Sequence, residues 1–133
     1  GCGWIAAYNL LKLNGKAMLM KDVLAGLKRF AFIGNLLGQE KISLYFWLKK
    51  QDLNVHISAG TNAKIIKKMC ASKSGILLYI HRTNAHYVAY EVCKDGRIHF
   101  YNAVYGKKNH IITVSEFLLE NSFIPLSSLI YIN

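Results

Sequence analysis

The hydrophobic period of this chain changes about halfway along. Near the start, Trp4, Tyr8 and Leu11 form one apolar stripe at helical spacing and Ala6, Leu10 and Leu13 form another, interrupted only by Asn9 and Lys12. A helix apolar around so much of its circumference has to be buried, and Asn14-Gly15 supplies a C-terminal cap. Asp22 can cap a second helix reaching about residue 30, and residues 38–51 read as a third that carries Ile42, Tyr45, Phe46 and Leu48. A short run over 54–58 leads to Thr61-Asn62, which can cap a fourth helix through residue 69.

Beyond that point the pattern is strand-like. Residues 76–80, 87–92, 97–101 and 129–132 are β-branched and aromatic runs separated by Asn-Ala, Asp-Gly and Gly-Lys turn signals. Thr113 and Glu116 have capping-box spacing and predict one short helix before the last strand. Helices first and an antiparallel meander after is an α+β layout. At 133 residues, with no repeat, low-complexity segment or linker, the chain is expected to be one domain spanning 1–133.

Composition narrows the partners. Seventeen Lys and Arg against seven Asp and Glu give a net charge of +10, which favours anionic surfaces such as nucleic acid, anionic lipid or acidic cell-envelope polymer. The basic residues sit in scattered pairs, Lys49-Lys50, Lys67-Lys68 and Lys107-Lys108, without interleaved aromatics, so no specific nucleic-acid groove is predicted. The longest uncharged stretch, 121–133, is too short for a membrane helix, and a soluble protein is expected. No basic-then-apolar segment precedes Cys2, so either a leader has been removed or the domain begins there, with the compartment left open.

Three cysteines exclude a pure disulfide framework and leave at least one free thiol, taken to be Cys2. Cys70 and Cys93 could pair in a secreted protein, but the preferred reading is small apolar fillers. His56, His81, His99 and His110 read as surface or partly packed residues, no CxxC or HxxxH spacing is present, and neither metal nor cofactor is expected. Trp47, Tyr79, Tyr90, Phe100 and Tyr101 fit the apolar periods as core.

Candidate chemistry lies in one spacing. Gly1-Cys2-Gly3-Trp4 opens the buried helix, His86-Tyr87-Val88 starts a strand, and Asn102 follows His86 by sixteen residues. A cysteine nucleophile needs a base to hold it as thiolate and a third group to orient that base. At a helix start, free backbone N–H groups and the helix dipole lower a thiol pKa, and an N–H at Cys2 can donate to a developing oxyanion. The hairpin register is the test: a three-residue Lys94-Asp95-Gly96 turn puts Asn102 across from Val88 and on the face of His86, whereas a two-residue turn sends it to the other face. His86 itself is expected at a sheet edge.

These residues resemble the papain-like cysteine peptidases and, more narrowly, the small bacteriocin-processing peptidase domains and their stand-alone relatives. The resemblance spans nearly the whole chain in element order, including the late helix over 114–118 and the final strand. It implies a papain-like fold in which N-terminal helices, one bearing the nucleophile, precede an antiparallel sheet. It also implies peptide hydrolysis of a peptide or protein substrate, with Cys2 as nucleophile, His86 as general base and later acid, and Asn102 orienting the imidazole. The narrower family cuts leader peptides after paired small residues. This chain departs from it in carrying Asn102-Ala103 where Asp-Pro is usual, and in having only Gly1 ahead of Cys2 where an oxyanion-hole Gln is usual. Gln39 or Gln51 could replace that donor. An envelope amidase or acyltransferase with the same triad, or a non-catalytic recognition module, are the alternatives.

Overall fold

In the computed structural model, residues 2–37, 40–81, 84–104, 107–112 and 126–133 are described, with side chains for 3–28, 41–80, 86–101 and 126–133. Helices α1 (Cys2–Leu13), α2 (Met20–Leu37) and α3 (Glu40–Lys50) come first. Strand β1 (His56–Thr61) and helix α4 (Asn62–Ala71) follow, and then β2 (Ser74–His81), β3 (Asn84–Val92), β4 (Ile98–Val104), β5 (Lys107–Ile112) and β6 (Leu126–Ile132). The result is α+β.

The strands form one antiparallel sheet in the order β1-β6-β2-β3-β4-β5. Strands β2, β3 and β4 run as the expected meander, but its fourth strand is β5 and not the one expected over 129–132. Strand β6 returns to lie between β1 and β2, so the sheet is extended beyond the meander at that side. Strand β5 fell in a stretch read as a turn, because Lys107, Lys108 and Asn109 hide its alternation.

Side-chain alternation in the strands divides the core in two. Ile76, Ala89 and Ile130 face Ala6, Ala7, Leu10 and Leu11 of α1 together with Leu44, Trp47 and Leu48 of α3. Leu77, Val88, Tyr90 and Leu129 face Ile65 and Met69 of α4. The sheet is therefore a middle layer. Burial on both sides explains why β2 reads as a nearly continuous apolar run, whereas edge strand β1 alternates between half-buried and exposed.

Local signals set the helix ends. The Lys16 N–H donates to Leu11 O (2.9 Å) and Gly15 N–H to Lys12 O (3.3 Å), the paired bonds of a Schellman motif closing α1. Thr61 Oγ1 accepts from Lys64 N–H (3.3 Å) and caps α4. Asp22 lies inside the first turn of α2 instead of capping it, and α2 runs well past residue 30. In α3 the buried stripe is Leu44, Trp47 and Leu48, which leaves Phe46 50 % exposed, contrary to the expectation for that residue. Helices α2 and α3 approach closely at Gly26, where a Cβ would collide with the Trp47 indole. The helix expected from Thr113 lies outside the described residues.

Candidate active site

The β3–β4 hairpin closes through Lys94-Asp95-Gly96. Cys93 N–H donates to Arg97 O (2.8 Å), Gly96 N–H donates to Cys93 O (3.0 Å), and Gly96 has φ +88, the left-handed conformation the three-residue turn requires. Asp95 holds the turn by accepting from Arg97 N–H (3.0 Å) and Arg97 Nε (2.8 Å). The backbone bond from Arg97, the largest effect, and then its side-chain bond keep the Asp95 carboxyl below its usual range.

Four rungs fix the register: Val92 with Ile98, Glu91 with His99, Tyr90 with Phe100, and Ala89 with Tyr101. The rungs with β3 end at Tyr101, and the ladder from β4 to β5 shifts register between Tyr101 and Val104, so Asn102 and Ala103 lie at a bulge-like irregularity of β4. Up to Tyr101 the alternation puts Phe100, Val88 and His86 on the α4 face, and Asn102 is the first residue past the last β3–β4 rung.

His86 is half-buried and pairs directly with Tyr79 of β2, the two rings stacking at 5.6 Å and 23°. Strand β3 lies between β2 and β4, and His86 occupies its beginning, three residues before the last β4 rung at Ala89. The β2 and β4 hairpins give β3 a neighbour on each side, although the β4 rungs reach only to Ala89. Exposure at His86 arises from the strand's end.

Cys2 is the first residue of α1, where the opening N–H groups have no intrahelical acceptor. A Cβ built on the next residue, Gly3, would lie 3.8 Å from the Tyr87 ring, so the helix start abuts the residue following His86. Tyr87 packs into the α1 layer, while His86 lies on the α4 side with Tyr79. Helix α1 and His86 therefore converge on the same end of β3 from opposite faces of the sheet. The side chains of Cys2 and Asn102 lie outside the described residues, as does Gln39. Gln51 sits at the far end of α3, its Nε2 donating to Trp47 O (3.5 Å).

Other polar residues take different places from those expected. Cys70 is a free, exposed thiol on α4 and Cys93 a free, half-buried one, which corrects the filler reading for Cys70. Its position on the outer side of α4 follows from Ile65 and Met69 claiming the inner side. His99 stacks on Tyr101 at 4.1 Å, and Tyr101 Oη donates to Glu91 Oε2 (3.2 Å). Burial, followed by the neighbouring Glu91 carboxylate, pushes the Tyr101 phenol up to about 12. Nothing in the sequence singled out this pair, because its members are ten residues apart and meet only diagonally across the hairpin.

Among the described residues no group of three or more His, Cys, Asp or Glu could hold a metal ion, and no helix is long and apolar enough to cross a membrane. No family model, curated protein or solved structure matches this chain.

Proposed function

We propose that this α+β chain is a papain-like cysteine hydrolase that cleaves a peptide bond through Cys2, His86 and Asn102. The observation that supports the reading is the β3–β4 hairpin: of the two turns the sequence allowed, the three-residue one is present, and β4 carries Asn102 as the first residue past its last rung with β3, toward the strand end that holds His86. The start of α1 against Tyr87 adds a second, independent approach to the same strand end.

The chemistry follows from these positions. The Cys2 thiol gives its proton to His86 and attacks the scissile carbonyl, and a backbone N–H of the helix start donates to the oxyanion. His86 then returns the proton to the leaving amine, water hydrolyses the thioester with His86 as base, and Asn102 holds the imidazole. For this to operate, the thiol and the imidazole meet around the end of β3, since their elements occupy opposite faces of the sheet.

The rate of alkylation of each cysteine between pH 4 and 9, resolved by mass spectrometry, tests this directly, with exposed Cys70 as a reference for access. Rapid labelling of Cys2 at about pH 5 to 6, lost in His86→Ala, is the expected result. Labelling of Cys2 only as the pH nears about 8.5, with no effect of His86→Ala, overturns the reading.

A further inference from the structure

A groove of about 500 Å³ opens at the end of the sheet next to this site, where Ala59 and Gly60 of β1, Leu126 of β6 and Leu78 and Ile80 of β2 come together with Lys41 of α3. Its volume falls within the roughly 300–1,000 Å³ typical of ligand sites, and its walls are mostly apolar. Lys41 brings a cation into it: Nζ donates to Ser128 Oγ (3.1 Å), a neutral acceptor, which leaves ammonium protons for a stronger one.

The groove lies at the same end of the sheet as the candidate catalytic residues. Leu78 pairs across the β2–β3 ladder with Tyr87, and Tyr79, also a lining residue, pairs with His86. Because the Tyr87 ring touches the first turn of α1, one side chain separates the Leu78 wall from the helix that begins at Cys2. Along its other side the groove borders β1, the outermost strand, whose residues His56–Thr61 carry no acidic residue, lysine, arginine or proline and run through six unbroken rungs with β6. Among its own residues such an edge lacks the usual devices against pairing with another extended chain, and it is guarded at one point, where Lys64 Nζ of α4 donates to Ala59 O (3.4 Å).

We propose that this groove binds an extended peptide segment that presents a carboxylate to Lys41 between apolar side chains, and that Lys41 is the residue selecting for it. The inference rests on the cysteine-hydrolase reading for the direction in which the peptide runs, toward Cys2. The carboxylate can come from an acidic side chain or from a free C terminus, and both present the same two acceptor oxygens.

Binding is measured by fluorescence anisotropy on the Cys2→Ala protein, so that turnover plays no part. The probes are labelled heptapeptides of alternating Leu and Ser with one central Glu, Gln or Lys, each made amidated and with a free C terminus. The Glu peptide, or the free-acid Gln peptide if the C terminus is the group recognised, should bind at least about ten-fold more tightly than the amidated Gln peptide. Lys41→Gln removes that difference, Lys41→Arg keeps it, and Lys41→Glu transfers the preference to the Lys peptide. Equal binding of all probes to the Lys41 protein, or an unchanged Glu preference in folded Lys41→Gln protein, overturns the proposal. Charge selection at Lys41 in a protein whose Cys2 labels as an ordinary thiol supports the groove while rejecting the hydrolase.

Discussion

On the face of the sheet that carries α1 to α3, the fully buried side chains are aliphatic, with Trp47 as the one large ring among the described residues. On the face covered by α4 the core is built around Tyr79, Tyr90 and Phe100, and it contains a polar anchor: Ser72 Oγ donates to Met69 O (2.8 Å) and accepts from Tyr90 Oη (2.6 Å). Burial pushes the Tyr90 phenol well above its ordinary pKa, so it remains a donor at all working pH values. The α4 face thus holds a fully buried hydrogen bond that only one arrangement satisfies, whereas the α1 face keeps its helix-to-sheet bonds, Asn14 Nδ2 to Ser74 Oγ (3.3 Å) and Lys41 Nζ to Ser128 Oγ (3.1 Å), at a partly buried margin. The lesson concerns the candidate triad, which draws its nucleophile from an element of the first face and its base from the second. Such a site depends on both cores being formed at once.

The largest effect that would break or sharpen this comparison is on turnover. Cys2→Ala and His86→Ala should each lower peptide hydrolysis by at least about 10³-fold while leaving the circular dichroism spectrum unchanged, and the double variant should lose no more than either alone. Asn102→Ala should cost less. Full activity in either of the first two variants removes the mechanism.

Next come the two cores. Leu10→Ala on the α1 face and Phe100→Ala on the α4 face, both fully buried, should each destabilise by about 2–5 kcal/mol in urea unfolding. If activity requires both faces, both variants should also lose turnover at temperatures where either has begun to melt. A smaller loss, about 1–3 kcal/mol, is expected for Gly26→Ala, whose added methyl has to displace the Trp47 ring. Tyr90→Phe should cost about 1 kcal/mol by removing the donor to Ser72.

The smallest effect is electrostatic. Tyr101 has a folded pKa of about 12, above its ordinary value near 10, so its contribution to stability is complete below about pH 10 and is lost as the pH rises toward 12. Glu91→Gln should move the phenolate absorbance transition of Tyr101 to lower pH without reaching the ordinary value, because burial remains the larger cause. An unmoved transition would show that Glu91 does not act on it.

Much of this architecture was legible in the chain. The stripes of α1, the Thr61 cap and the Asp95-Gly96 turn are local signals, and each is realised through bonds within a few residues. Legibility failed where long-range packing decides. Phe46 and Trp47 are adjacent aromatics in one helix, and only the closeness of Gly26 determines which is buried. Strand β5 follows from the partner it finds in β4, since its own residues Lys107 to Asn109 argue against it. For the candidate site, the hairpin register could be posed from sequence as two alternatives but not chosen. Lys41 gave no signal at all, since its meaning comes from Ser128, eighty-seven residues away.

The insertion of β6 between β1 and β2 also sets an order of events. The hairpins joining β2 to β5 are local, whereas the β1–β6 ladder joins residues 65 to 75 positions apart in sequence. Closing so large a loop is entropically slow, and until it closes β1 has no described partner on either edge. A chain leaving the ribosome can therefore build its meander early, but the groove beside Lys41, which needs Leu126 for its wall and Ser128 for its hydrogen bond, forms only when the last strand arrives.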